Sequence, residues 1–169
     1  MQSLESTRLI LSPTDPAELP DLLRVYQSNP DFLAMQEGSQ GAAGHYELAM
    51  LQRDWQIAQM MPGRIMLTIR LRASRAVVGL ADFLAEHPDD GHPWLGALIL
   101  AASYQRQGLG TEAFHLLAEQ MRTQTGSEAL RTAVARQNQP ALMFLKRAGC
   151  VQTGSTPSGD ALLLEYHFA

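Results

Sequence analysis

Gln105-Arg106-Gln107-Gly108-Leu109-Gly110-Thr111 is the stretch on which the reading of this chain turns. The apolar run Leu95-Gly96-Ala97-Leu98-Ile99-Leu100 precedes it. After it, Leu109, Ala113, Leu116, Leu117 and Met121 recur at helical spacing. A strand, a tight glycine turn and a helix start make an anion-binding device, because the backbone approaches closely and the first helical amides point outward. The same Gly-x-Gly also serves as a plain packing turn between strand and helix, and the glycines alone do not decide between the two. A P-loop would need Lys-Ser/Thr after its last glycine, and no Lys follows here. A dinucleotide fingerprint tolerates Ala113 in its third glycine place. That strand, however, would come late in the chain, and the next strand, 130–135, ends in Arg136 rather than an acid.

Outward from this centre the chain alternates strands and helices. Residues 7–12 read as a strand ended by Pro13. Asp15 with Glu18 three places on reads as a capped helix start, with Pro20 awkward inside it. Leu19, Leu22, Leu23 and Tyr26 share a helical face, and Ser28-Asn29-Pro30 stops it. Residues 31–44 show little pattern. Leu48, Leu51, Trp55 and Ala58 resume helical spacing until Pro62-Gly63. Residues 65–72 and 76–85 read as two strands. In the first, Ile65, Leu67, Ile69 and Leu71 alternate with Thr68, Arg70 and Arg72. Residues 87–93 form a polar loop, and 94–100 a strand covered on both faces. In the helix after the glycines, Glu112, Glu119, Gln120 and Arg122 face outward and Gly126 ends it. Asn138 caps a further helix whose inner face is Ala141, Phe144, Leu145 and Ala148. One or two strands close the chain, 161–168 among them. No repeat or linker divides residues 1–169, so a single mixed α/β domain is expected.

Composition narrows the function. The net charge is −4 and no Lys/Arg run is present, which excludes non-specific nucleic-acid binding as an expectation. The single cysteine, Cys150, allows no intrachain disulfide and fits a reducing cytoplasm. Residues 1–11 carry charges inside any apolar run, and no stretch approaches the ~18 apolar residues of a spanning helix, so neither a signal peptide nor a membrane segment is expected. No His, Cys or carboxylate pair has metal-binding spacing.

Gln105-x-x-Gly108-x-Gly110, followed by Thr111-Glu112-Ala113, is similar to the acyl-CoA pyrophosphate loop of the GNAT N-acetyltransferase superfamily. Asn138-x-x-Ala141-x-x-Phe144-Leu145, running to Ala148-Gly149, resembles that family's Asn-initiated helix. Thr7-x-Leu9-x-Leu11 resembles its opening Thr-x-Arg-Leu-x-Leu strand, with Arg8 either one place early or aligned directly as Arg8-Leu9. The resemblance spans nearly the whole chain. It implies a mostly antiparallel sheet with a central splayed parallel strand pair and about four helices. It also implies acetyl-CoA as co-substrate and no metal. Leu98, Ile99 and Leu100 then pair with the pantetheine arm, and a backbone amide near Leu100 polarises the thioester carbonyl. Arg106, Gln107, Gly108, Leu109, Gly110 and Thr111 give amides to the pyrophosphate in the loop that Gln105 opens. Asn138 contacts the pantetheine or simply caps its helix, and Phe144 joins the cofactor-binding set.

The resemblance leaves the proton transfers open. The family's usual acid is a Tyr one place after Phe144, where this chain has Leu145. Leu at that place resembles the subgroup of N-terminal acetyltransferases that act on ribosomal proteins. Tyr104 and Ser103 are weak substitutes. The strand 94–100 carries no carboxylate, so Asp82 and Glu86, read on one face of the preceding strand, are the candidate bases. Either equally fits a half-exposed strand position. His87 and His92 flank the acidic loop, while His45 and His115 read as helix-surface residues. Cys150 reads as a small core residue. Residues 26–63 and the 86–93 loop are expected to bind the acceptor, with Tyr26, Phe32, Met35, Met50, Trp55, Met60 and Met61 as pocket or core. The expected reaction is acetyl transfer from acetyl-CoA to a primary amine, on a small molecule or a peptide N-terminus, by direct attack. A homodimer is common in the resembled family. The alternatives are an acyl-CoA-binding module with impaired catalysis and a nucleotide-binding protein of another fold.

Overall fold

The computed structural model describes residues 2–37 and 46–168. One eight-stranded sheet runs through them. Its strands are β1 (Leu4–Glu5), β2 (Leu9–Pro13), β3 (Arg64–Leu71), β4 (Val77–Leu84), β5 (Trp94–Leu100), β6 (Ala129–Ala135), β7 (Val151–Ser155) and β8 (Ala161–His167). Their spatial order is β1-β2-β3-β4-β5-β6-β8-β7. Every neighbouring pair is antiparallel except β5 and β6, which run parallel. The splayed central pair implied by the resemblance is therefore present. The fold is the single-domain α/β arrangement expected, with five helices: α1 (Leu19–Gln27), α2 (Pro30–Glu37), α3 (Leu48–Met60), α4 (Leu109–Thr125) and α5 (Gln139–Arg147).

Period-two alternation sends the two faces of the sheet to different helices. Leu9, Leu11, Leu67, Ile69, Ala81 and Phe83 pack with Phe114, Leu117 and Met121 of α4 and with Leu142 and Leu145 of α5. On the other face Leu80 and Ile99 pack with Leu19, Leu22 and Val25 of α1 and Leu51 of α3. The polar side of β3 is covered too. Thr68 is fully buried, its hydroxyl bonded to Thr14 and Glu18, and Arg70 pairs with Glu18.

The Asp15 capping box forms: Asp15 accepts from the Ala17 amide, and the Asp15 amide donates to Glu18. It opens a short 3-10 turn, Pro16–Glu18, and α1 starts only at Leu19, with Pro20 in its first turn where no amide is needed. Ser28-Asn29-Pro30 does end α1, but Pro30 is also the first residue of α2, which the sequence reading missed. The fixed φ of proline suits a first helical position, and α2 lacks a strong apolar stripe to announce it. Residues 38–45, which hold His45 and the glycines of the weakly patterned 31–44 stretch, lie outside the described residues.

Candidate active site

The parallel pair is joined only at its start. Trp94 opposite Arg131 is the one registered pair among the described residues, supported by the Arg131 amide on the Pro93 carbonyl at 2.9 Å. The Thr132 hydroxyl adds a bond to the Leu95 carbonyl at 2.8 Å. Beyond Leu95 the two strands diverge, and a wedge opens towards Leu100.

A bulge decides which β5 groups face that wedge. Asp82 pairs with Ala97 but Phe83 pairs with Leu95, so Gly96 is an extra residue. Before it, Pro93 and Leu95 turn their carbonyls to β6. After it, the phase flips: the Ala101 amide bonds the Val78 carbonyl on the β4 side. By antiparallel alternation Leu98 and Leu100 then aim their amides and carbonyls into the wedge, while Ile99 pairs with β4. The Leu100 carbonyl is taken, accepting from Asn29 Nδ2 at 3.0 Å and Gln105 Nε2 at 2.8 Å. Its amide is left facing the wedge.

At the wedge's open end sits the glycine loop. A 3-10 turn, Ala102–Tyr104, leads into it, and the loop contains two left-handed residues, Arg106 at φ 59° and Gly108 at φ 78°. The first α4 bond runs from the Glu112 amide to the Gly108 carbonyl. The amides of residues 106–111 therefore donate to no protein acceptor among the described residues, as the first turn of a helix dictates. The exposed Thr111 hydroxyl and the exposed Arg106 guanidinium are likewise without partners there.

The loop's residues divide into groups without protein partners among the described residues and braces. Gln105 is a brace, its amide nitrogen shared between Leu100 and Asn29. Ser28, next to Asn29, caps the Ala102 amide. Sequence reading saw Ser28 and Asn29 only as a helix stop, since nothing local marks a contact 76 residues away. Gly110 is a packing glycine: a Cβ there would lie 3.4 Å from Phe144 and 3.7 Å from Leu100. The packing reading of Gly-x-Gly thus holds at Gly110, while Gly108 answers a left-handed φ. Phe144 is half-buried and meets Phe114 edge-on at 6.2 Å. Asn138 caps α5 through Oδ1, which accepts from the Ala141 amide, and its Nδ2 has no partner among the described residues. Leu145, in the place of the family Tyr, is buried in the core. Cys150 is also buried, and burial pushes its thiol up to about 11.

Glu112 corrects the sequence reading. It does not face outward; its carboxylate is 19% exposed and accepts from Ser6 Oγ (2.7 Å), the Arg8 amide (2.9 Å) and Arg8 Nε (2.6 Å). Burial would raise its carboxyl, but these three donors outweigh burial and hold it below the ordinary carboxylate range. Arg8 also donates from Nη1 to the Gln107 carbonyl at 2.9 Å, so the opening strand grips the loop directly.

The candidate bases separate. Asp82 lies on the α1 face of β4, forked by Arg64: Nη2 at 2.6 Å and Nε at 3.1 and 3.2 Å. Glu86 is not on the strand beside it. β4 ends at Leu84, and Glu86 falls in an exposed bend beyond. Around Asp82 the chain gathers Tyr26, whose ring lies 5.0 Å from Tyr46 and 6.2 Å from Phe32; the Tyr46 hydroxyl donates to Asp54 at 2.6 Å. Burial, then the Asp82 and Asp54 carboxylates, push the Tyr26 phenol up against the smaller pull of Arg64, so it stays protonated. Asp54 and Arg64 had no sequence signal; four separate elements bring these groups together. His87 stacks on Trp94 at 4.7 Å, and His92 bonds Ser127 at 3.0 Å. The described residues hold no cluster of three His, Cys, Asp or Glu fit for a metal, and no described helix is long and apolar enough to cross a membrane.

Similar folds are known. An acetyltransferase from Thermus thermophilus superposes with a TM-score of 0.77 at 21% identity, covering 99% of this chain and 100% of that one. An acetyltransferase from Agrobacterium tumefaciens str. C58 gives 0.76 at 20% identity, covering 99% and 95%. A GNAT-family acetyltransferase from Bacillus anthracis gives 0.74 at 13% identity, covering 98% of each. No curated protein matches the chain. Residues 8–151 match the family model described as an acetyltransferase (GNAT) domain, and the chain therefore belongs to the GNAT acetyltransferase family.

Proposed function

We propose that this protein transfers an acetyl group from acetyl-CoA to a primary amine by direct attack, with no covalent enzyme intermediate. The observation that carries the reading is the row of unpartnered amides at 106–111, standing at the mouth of the wedge between β5 and β6. Acetyl-CoA matches this lining: its pyrophosphate accepts from the loop amides and the Thr111 hydroxyl, and its pantetheine arm replaces the missing strand partner of Leu98 and Leu100. Asn138 Nδ2 serves the same arm. Oxyanion stabilisation falls to a β5 amide, Leu98 or Leu100, which costs no reorganisation at the moment of reaction.

The amine attacks the thioester carbon, the C–N bond forms, and the C–S bond breaks to release CoA thiolate. Asp82 accepts the ammonium proton through water, since Arg64 already holds both of its oxygens. No residue at the Leu145 place donates to the thiolate, which leaves unassisted or takes its proton from solvent. Tyr26, Phe32 and Tyr46 beside Asp54 and Asp82 suit an amine acceptor. The Thr7-Arg8-Leu9 and Leu145 pattern favours a peptide N-terminus, in the cytoplasm.

Calorimetry with acetyl-CoA, followed by thiol-release assays on small amines and N-terminal peptides, tests the proposal. Saturable binding and turnover of at least one amine are expected. No binding at millimolar acetyl-CoA overturns it. Binding without turnover of any amine assigns the chain instead to an acyl-CoA-binding module.

A further inference from the structure

The loop that faces the anion carries a carboxylate in its own first helical turn. Glu112 follows directly on the unpartnered amides of residues 106–111. A bare carboxylate there favours the helix dipole but repels a pyrophosphate bound to the same turn. The chain answers with one residue. Arg8 puts Nε on Glu112 Oε2 at 2.6 Å and its backbone amide on Oε1 at 2.9 Å. Its Nη1 holds the Gln107 carbonyl at 2.9 Å. Its Nη2 makes no hydrogen bond among the described residues and lies 3.3 Å from where a Cβ of Gly108 would stand. The guanidinium thus touches the loop from both sides of Gly108 while cancelling the one acidic group in the turn.

We propose that Arg8 is the positioning residue of the anion-binding loop, and that its main work is to mask Glu112 from the bound pyrophosphate. This rests on the acyl-CoA reading above. Masking, unlike simple bracing, has a signature: removing Arg8 harms binding only while Glu112 keeps its charge. The harm should also shrink in salt, because an exposed carboxylate is screened over about 10 Å at 0.1 M.

The test is CoA binding by calorimetry in wild type, Arg8→Ala, Glu112→Gln and the double variant, at low and high salt, with thermal melting to establish folding. Arg8→Ala is expected to weaken CoA about 10- to 100-fold, the size of one lost charge-assisted interaction. The double variant should return to within about threefold of wild type, and raising salt should narrow the gap between wild type and Arg8→Ala. Arg8→Lys keeps the charge without the fork and should lie between; it replaces Arg8→Ala if that variant does not fold. The inference is overturned if either Arg8 variant binds CoA as wild type does. It is overturned equally if the double variant binds as weakly as Arg8→Ala or if salt leaves the gap unchanged. Failure of wild type to bind CoA would instead sink the acyl-CoA reading.

Discussion

Replacing Gly108 with Ala and with Asp separates backbone shape from charge at the loop. Gly108 sits at φ 78°, where a side chain costs about 1–2 kcal/mol. Its Cβ would also stand 3.3 Å from Arg8 Nη2, so the guanidinium must give by a few tenths of an ångström. Gly108→Ala should therefore lower stability by about 1–2 kcal/mol, a melting shift of about 2–8 °C for a chain this size. If the free loop escapes the strain by leaving its binding shape, CoA affinity falls by about 5- to 30-fold, the same energy read as a dissociation constant. Gly108→Asp adds a negative charge beside the anion. At about 5 Å and an effective dielectric near 20, that repulsion is about 3 kcal/mol, for a total loss above roughly 100-fold. The new carboxylate also competes with Glu112 for Arg8. Gly126→Ala is the control: its φ of 65° carries the same strain at the far end of α4, with nothing within 4 Å. It should melt lower yet bind CoA normally. Calorimetry and circular-dichroism melting read both quantities. Wild-type CoA affinity in Gly108→Asp refutes the assignment of the loop, and equal loss of affinity in Gly126→Ala refutes the localisation.

Gly110→Val tests the packing glycine: extra methyls against Phe144 and Leu100 should cost about 1–3 kcal/mol in melting experiments, and an unchanged melting point would contradict the close approach. Thr132→Val removes the buried hydroxyl that joins β6 to the Leu95 carbonyl, and should lose about 1–3 kcal/mol, measured by urea unfolding. The Cys150 thiol, raised by burial from 9.0 to about 11, keeps a proton in the folded state that the unfolded chain loses. Stability should therefore fall as pH rises from 9 to 11, and a thiol dye at pH 8 should label only urea-unfolded protein; rapid native labelling would refute the burial. Glu112 has the opposite sign. Its depressed carboxyl contributes stability above its ordinary value of 4.5 and loses it as pH falls, so Glu112→Gln should flatten the acid limb of a stability–pH curve.

Most of the sheet was legible because its signals are local. Alternation in β3, the apolar β5 and the capping residues Asp15 and Asn138 each act within a few residues, and each appears where expected. The loop was legible because Gly108 and Gly110 mark a turn, although sequence could not say that one glycine answers a left-handed φ and the other a close helix contact. What escaped depends on distant partners. Glu112 reads as a solvated helix residue until Ser6 and Arg8, over 100 residues earlier, are brought beside it. The Tyr26, Asp54, Arg64 and Asp82 group has no spacing rule at all. Glu86 was misplaced because period two was extended beyond Leu84, where the strand had already ended. The Gly96 bulge did carry a signal, a glycine inside an apolar strand, and it went unused.

The bulge and the Arg8 clamp solve the same problem at two points. To take the acyl-CoA proposed above, an anionic ligand, the loop has to present donors and cover its own carboxylate. The phase flip at Gly96 turns the Leu98 and Leu100 peptide edges into the wedge, which brings carbonyls along with amides, and the Leu98 carbonyl stays there as an acceptor. The Leu100 carbonyl is then covered twice, by Asn29 and Gln105, so only its amide faces outward. One turn into α4 the Glu112 carboxylate is covered three times, by Ser6 and by both the backbone and the guanidinium of Arg8. Amides 106–111, the Thr111 hydroxyl, the Arg106 guanidinium and Asn138 Nδ2 are left without protein partners among the described residues. Every one of them is a donor or can act as one. Asn29, Gln105, Ser6 and Arg8 thus set the sign of the loop's mouth by what they remove from it. Losing Arg8 would leave Glu112 without its guanidinium, and losing both Asn29 and Gln105 would bare the Leu100 carbonyl.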